Sequence, residues 1–473
     1  MSRPRASGYF MLKLLNRLVF GSVASGLLLA GPASAQSLHE AIQIALDSNP
    51  QIGQAEQNRE AIEFELKQAL GLFMPRVDLQ ASVGAQLLSN PSRRAAGIAD
   101  DPLYPAQVGV SVNYDLFDGG FRDAAVDLQS ARVDGASYRV LERSEFIALE
   151  VARLYYEILL QRRIIDLSRQ NVAFHQFTLD NVGDAVDNGQ LTEADRLQAI
   201  ERLAASRARV IEAQEELNTS MASFLRYVSV PLTNPVQPAR LGSALPTTLD
   251  AAIGTARLNN PLALLAGADV DAAAAQVLQA ESALYPTLSL QGSASTGYDL
   301  GGGTGQTHDV RGELTLSWNI YDGGIKNAAV QESLRRESEA LLGLHVAHRE
   351  IEEAVRLAWE RMVRQREIAA VYAEQLDASA NLVSSYQEQF DIGERSLLDV
   401  LDAQNTRYNL QVIHETATFS QRFAEYRLMA ASGTLLDYLG VRVPEQADAY
   451  ARDAFDVPSA LDRAPATLQE VRF

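Results

Sequence analysis

Two stretches in the first quarter of the chain alternate strictly between apolar and small polar residues. Val77, Leu79, Ala81, Val83 and Ala85 alternate with Asp78, Gln80, Ser82, Gly84 and Gln86. Val108, Val110, Val112, Tyr114 and Leu116 alternate with Gln107, Gly109, Ser111, Asn113 and Asp115. The pattern returns with Leu288, Leu290 and Ala294, then with Leu314, Leu316, Trp318 and Ile320. Period two with one apolar face predicts half-buried strands. About ten residues is also the length of a strand that crosses an outer membrane, apolar toward lipid and polar toward a lumen. Phe73, Phe117, Tyr285 and Tyr321 mark one common end of the four strands, where an interfacial aromatic girdle lies in such barrels. Four strands fall short of the ~8 of the smallest closed barrel, so a membrane reading requires several chains to share one. The other reading of the same alternation is one sheet of a soluble β-sandwich.

Between Gly120 and Gly189 the period changes. Val151, Ile158, Ile165, Val172, Leu179 and Val186 recur every seventh residue, and no proline interrupts the span. The same holds between Gly324 and Gly393, with Val355, Met362, Ala369, Leu376, Val383 and Phe390. A sustained heptad predicts a long coiled-coil helix in each span, a rod of about 100 Å at ~1.5 Å per residue. Gly189 and Gly393 suit left-handed helix ends. Thr192 and Ser396 then open return helices, with Asp195 and Asp399 three residues on at a capping-box spacing. The return helices are expected to reach about Val228 and Leu439. Gln51 to Leu72 and Pro261 to Leu284 fill the remaining length, stacked end to end on them.

These parallels are one duplication. Asp118-Gly119-Gly120 and Asp322-Gly323-Gly324 sit 204 residues apart, as do Gly189 and Gly393, whereas Asn49-Pro50 and Asn260-Pro261 sit 211 apart. The chain divides into a first repeat (residues 36–231), a linker (232–246), a second repeat (247–444) and a tail (445–473). Each Asp-Gly-Gly marks the passage from strand to long helix. Both periods are far longer than those of solenoid repeats.

The N-terminus places this architecture outside the cytoplasm. Arg3, Arg5, Lys13 and Arg17 precede an apolar run through Leu27, Leu28 and Leu29, and Ala33-Ser34-Ala35 fits a cleavage site, so residues 1–35 read as a signal peptide. Their removal takes four basic and no acidic residues from a formal charge of -19, leaving -23. That balance argues against nucleic acid as a partner. With no cysteine the chain has neither disulfides nor an N-terminal lipid anchor. Past the signal, no apolar run reaches the ~18 residues of a spanning helix.

The duplicated halves, the junction "IYDGG" (Ile320 to Gly324) and "GERSLLDVLDAQNTRYN" (Gly393 to Asn409) resemble the TolC family of outer-membrane efflux ducts. The likeness spans nearly the whole mature chain and lies closer to the type I secretion branch than to the lipoprotein branch. It implies a fold of mixed α and β: a homotrimer in which four transmembrane strands per chain build a twelve-stranded barrel, continuous with a periplasmic α-helical barrel. It implies a passive duct for small molecules or secreted proteins, energised by a periplasmic adaptor and an inner-membrane transporter. In the family the helical turns meet the adaptor, here Gly189, Gln190 and Leu191 with Gly393, Glu394 and Arg395. The same tip constricts the tunnel, and the matching gate residues are Asp399, Asp402, Arg395 and Asp195. The usual partners of Arg395 and Asp195 are replaced by Ala194 and Phe390, so the closing network differs.

The residues themselves allow a plainer role for Asp399, as the cap of its helix, like Asp195. Asp402 is different, because its repeat counterpart is Gln198. Asp399 and Asp402 share a helical face, opposite Leu398 and Leu401. Gly301 to Gly305 lacks the Gly-Lys-Ser/Thr of a phosphate loop. His345 and His348 share a face without cysteine support for a metal, and no histidine is placed as a nucleophile's base. No cofactor, metal or enzymatic activity is expected. An exported soluble coiled-coil tether or adhesin is the alternative to the duct.

Overall fold

Residues 36–459 are described by the computed structural model; the expected signal peptide, residues 1–35, lies outside them, as do residues 460–473 of the tail. Ser37 opens helix α1 (Leu38–Ser48). Its hydroxyl accepts from the Glu40 N–H at 3.2 Å, and the Glu40 carboxylate accepts from the Ser37 N–H at 2.9 Å. Asn49 separates α1 from α2 (Pro50–Gly71), whose leading proline sits where its missing N–H is harmless. Strand β1 (Arg76–Val83), a short helix α3 (Pro91–Ala95) and strand β2 (Ala106–Phe117) follow. The chain then runs through α4 (Phe121–Asp187, 67 residues) and returns along α5 (Glu193–Val228, 36 residues). The second half repeats this order with α6 (Leu249–Asn259), α7 (Pro261–Ser282), β3 (Thr287–Tyr298), β4 (Gln306–Ser317), α8 (Ile325–Asp391, again 67 residues) and α9 (Leu397–Ala431). Helices α10 (Leu435–Leu439) and α11 (Ala451–Ala454) close the described chain.

The repeat is visible in single bonds. Asn49 Oδ1 accepts from the Gln51 N–H and its amide donates to the Tyr227 carbonyl at 3.0 Å; Asn260 does the same with Leu262 and, at 2.9 Å, with Ala431. Each asparagine therefore caps its helix and staples it to the end of a return helix. The second return helix stops at Ala431, short of the expected Leu439. Gly433 turns there with φ 68°, so close to α6 that a Cβ would stand 2.6 Å from the Asn259 carbonyl oxygen.

The four strands form one antiparallel sheet in the order β1-β2-β3-β4, with Leu79 opposite Val110, Val110 opposite Ala294 and Leu290 opposite Leu314. Strands β1 and β4 each keep one edge unpaired. Two strands are shorter than their alternation. The first ends at Val83, before Ala85, although a lone bridge joins Gln86 to Leu103. The fourth ends at Ser317, before Trp318 and Ile320, because β3 starts at Thr287 and offers nothing opposite them. Val77, Leu79, Val110, Leu314 and Leu316 all expose their side chains. Of the four expected girdle aromatics, Phe117, Tyr285 and Tyr321 are exposed. Phe73 instead packs on the cluster around Leu66 and Val126, under the Arg122 guanidinium at 5.0 Å.

Both strand-to-helix joints have one chemistry. Asp118 accepts from the N–H groups of Gly120 (3.1 Å) and Arg122 (3.2 Å), and Asp322 from those of Gly324 (3.0 Å) and Lys326 (3.1 Å). The aspartate satisfies amides at the start of the helix while two successive left-handed glycines turn the chain, at φ 69° and 91° in one joint and 74° and 89° in the other.

The heptad positions face inward. Val151, Ile158 and Ile165 on α4, and Val355, Met362, Ala369 and Val383 on α8, are buried. The largest core lies at mid-length, where α1, α10 and the end of α5 pack on α4 through Ile42, Ile147, Tyr155, Phe224 and Leu435. Beyond Ala431 the chain climbs back along α2 and α4 as a strap. Its Arg452 donates to Asp134 Oδ2 of α4 at 2.9 Å and to Asp271 Oδ2 of α7 at 2.6 Å, and the Ala451 N–H donates to Asp134 Oδ1 at 2.8 Å. One arginine thus joins buried carboxylates of both halves.

Candidate gate at the helical tip

The far ends of α4 and α8 are closed by the expected turns. Gly189 (φ 74°) and Gly393 (φ 78°) take the left-handed conformation. The N–H groups of Gln190 and Glu394 reach back to the carbonyls of Ala185 and Gln389, both at 2.8 Å. These bonds satisfy carbonyls that a helix end leaves open. Nothing lies within 4 Å of a Cβ placed on either glycine. The turns are therefore free convex surfaces, with Gln190 and Glu394 exposed and Leu191 and Arg395 half-buried.

Thr192 caps α5 in a full reciprocal box: Asp195 accepts from the Thr192 hydroxyl at 2.7 Å and from its N–H at 2.9 Å. The hydroxyl bond first, then the amide, holds the Asp195 carboxyl below the usual aspartate range. Asp399 has the matching place on α9, accepting from the Ser396 hydroxyl at 2.7 Å. Arg395 approaches Asp399 only to 4.0 Å; its Nε donates to Gln389 at 3.0 Å and its guanidinium lies 4.2 Å over the Tyr386 ring. Asp195 and Arg395 are engaged locally, each within its own hairpin.

Asp402 makes the contact between hairpins. Its Oδ1 accepts from Arg202 Nη2 of α5 at 2.9 Å. Sequence reasoning missed Arg202, yet a signal was present: its repeat counterpart is Thr406, as that of Asp402 is Gln198. Two opposite charges break the duplication, each in one copy only. Beneath them lies an apolar cluster of Val182, Ala199, Leu397 and Leu401. Leu398, expected to face away from the aspartates beside Leu401, is instead 44% exposed, and Leu397 takes the inward place. The seam of α4 with α9 continues as buried polar pairs, Asn171 with Gln404 at 3.0 Å and Ser168 with Tyr408 at 2.8 Å. Among the described residues no group of histidines and carboxylates is placed to hold a metal.

The two hairpins are thus tied by one partly exposed ion pair over a small apolar cluster, a weak tie in stability terms. The family model described as outer membrane efflux protein matches residues 41–228 and 252–434. The outer membrane efflux protein BepC of Brucella suis biovar 1 (strain 1330) is 24% identical over 445 residues, covering 92% of this chain and 94% of its own. The outer membrane protein TolC of Escherichia coli (strain K12) is 22% identical over 443 residues, covering 90% and 87%. A membrane protein of Pseudomonas aeruginosa, solved by crystallography, shares the fold with a TM-score of 0.75 at 19% identity, over 84% of this chain and 90% of its own.

Proposed function

The chain belongs to the outer membrane efflux protein family, and from that premise we propose that three copies assemble into one duct, gated at the helical tip and docked there by a periplasmic adaptor. The protein is an outer-membrane efflux channel with its helices in the periplasm. The observation that carries the shared barrel is the open sheet: four strands, apolar on one exposed face, with unpaired edges on β1 and β4. An edge of this kind is a template for another chain, and a soluble tether would leave the apolar face in water.

The duplication supports one way for copies to meet. Within the chain β2 pairs with β3, placing Val112 opposite Gly292. Carried to the repeat counterparts, β4 pairs with β1 of a neighbouring copy, and Leu316 lies opposite Ala81. Trp318 then faces Leu79 and Tyr321 faces Val77, with Ile320 at the counterpart of the bulge between Asp115 and Phe117, so apolar meets apolar and the chain beyond Ser317 finds its partner. The joints agree. Gly119 lies so close to the end of α7 that a Cβ would stand 2.6 Å from the Ser282 carbonyl oxygen, while Gly323, in the same conformation, has open space. The segment beginning at Gly71 in the next copy is the counterpart that fits against it.

We assign Asp399, Asp402, Arg395 and Asp195, near the turns of the two hairpins, to the gate, and Gly189, Gln190, Leu191, Gly393, Glu394 and Arg395 to the adaptor surface. An inner-membrane transporter supplies the energy, and the cargo is small molecules or, by type I secretion, proteins. The assembly is tested by giving each chain Leu316→Cys and Ala81→Cys. Oxidation should yield covalent trimers on denaturing gels, and either single variant should not. Dimers as the end product, or no crosslink in a folded protein, would overturn the shared barrel.

A further inference from the structure

The seam between α4 and α9 holds one side chain whose chemistry does not suit its place. Along α4 the inward positions run Ser168, Asn171, His175, Thr178 and Val182. Ser168 and Asn171 bond to Tyr408 and Gln404 of α9, and Thr178 bonds to the Phe174 carbonyl at 3.0 Å. Val182 belongs to the apolar cluster with Ala199, Leu397 and Leu401. His175 lies between the polar pairs and that cluster. It is 3% exposed, and its Nδ1 is buried without a hydrogen-bond partner. An imidazole in that position is tolerated neutral and opposed when charged.

The charges around it add to the opposition. From α5, Arg202 acts on His175, while Arg207 of the same helix is engaged by Gln176 at 3.1 Å. From α9 come Asp402, whose carboxylate is committed to Arg202, and the neutral Gln404. On α4 itself Asp180 accepts from Gln176 at 3.0 Å. No carboxylate is bonded to the ring.

We propose that His175 makes the tip sensitive to protons: the α4–α5–α9 seam closes only around neutral imidazole, so each chain that opens in weak acid takes up a proton, and acid favours the open tip. The inference rests on the reading of the tip as the gate. Burial, and then the charge of Arg202, holds the closed-state pKa down to about 4 from 6.5. The sign follows from linkage. Above pH 6.5 neither state is protonated and the seam is at its firmest. As pH falls below 6.5 only the opened state binds the proton, and closure weakens until the closed-state pKa is reached. The opening equilibrium rises roughly tenfold per pH unit through that window, roughly 300-fold in all.

The test uses the full-length protein in detergent between about pH 7.5 and 4, with His175→Gln as the control for carboxylates that titrate at the acid end. Hydrogen–deuterium exchange of peptides around Val182 and Leu397, corrected for intrinsic exchange, reads the seam, and single-channel conductance reads the gate. Wild-type seam exchange should accelerate about tenfold per pH unit below 6.5 beyond that correction, and His175→Gln should abolish the acceleration. Arg202→Gln, which keeps the histidine and removes its opposing charge, should end the rise at a higher pH; this arm decides if His175→Gln fails to assemble. The same acid response in wild type and His175→Gln, or an Arg202→Gln curve identical to wild type, overturns the proposal. Seam exchange that follows His175 without any change in conductance sustains the proton-sensitive seam and instead overturns the tip as the gate.

Discussion

Arg202 Nη2 stands 2.9 Å from Asp402 Oδ1, so the acidic residue with no counterpart in the first repeat is held by an arginine with no counterpart in the second. On the reading of the tip as the gate, loss of Asp402 does more than remove a negative charge, because it leaves the Arg202 charge there with Glu201 as its remaining ion-pair partner. Asp402→Asn should therefore reduce the cation preference of the channel more than Asp399→Asn does. Arg202→Gln should increase that preference and strengthen block by divalent cations, since carboxylates freed at a constriction attract cations. The pair is half-exposed, so stability should change by less than about 1 kcal/mol. Reversal potentials across a salt gradient in planar bilayers measure the order of the three variants, and equal potentials would place the constriction elsewhere.

The turns at Gly189 and Gly393 have room for a side chain but a backbone that resists one. Leucine at each costs ~1–2 kcal/mol through the left-handed conformation, against helices anchored far from the turn. Gly189→Leu with Gly393→Leu should leave trimers in the outer membrane at wild-type level and abolish export. Retention of a fluorescent efflux substrate by cells, read beside trimer abundance, checks this. Normal export from the double variant would remove the adaptor from these turns.

Glu145 lies in the mid-length core, 7% exposed, accepting from the Leu436 N–H at 3.4 Å. Burial, with a contribution from the Asp437 charge, pushes its carboxyl up to about 8. The folded protein therefore keeps a proton that the unfolded chain loses above its ordinary value of 4.5, and stability falls as pH rises through that interval. Glu145→Gln keeps an acceptor for Leu436 and removes the titration. Its thermal midpoint should match wild type near pH 4.5 and exceed it increasingly toward pH 8. A difference between the two proteins that does not vary with pH would refute the assignment.

What the sequence made legible was set by local rules. The left-handed Gly189, the Thr192 and Asp195 box and the proline-free heptads each depend on neighbours within a turn or two, and these elements appear where the residues imply them. Strand ends are different: Trp318 and Ile320 continue the alternation, yet their state depends on a partner strand far away in the chain. Arg202 with Asp402, and Arg452 with Asp134 and Asp271, join residues at least 180 positions apart. No periodicity announces such pairs. No sequence pattern marks His175, because its burial follows from three helices meeting.

The Arg452 clasp is a contact that needs both halves of the duplication at once. Its two carboxylates come from opposite halves of the duplication, at 3% and 5% exposure, and the arginine itself follows both halves in the chain. The strap has its full docking site only after α4 and α7 lie side by side, so its engagement records that the halves have already met. The strap beyond Ala431 thus binds in full only a protomer whose two halves are already joined.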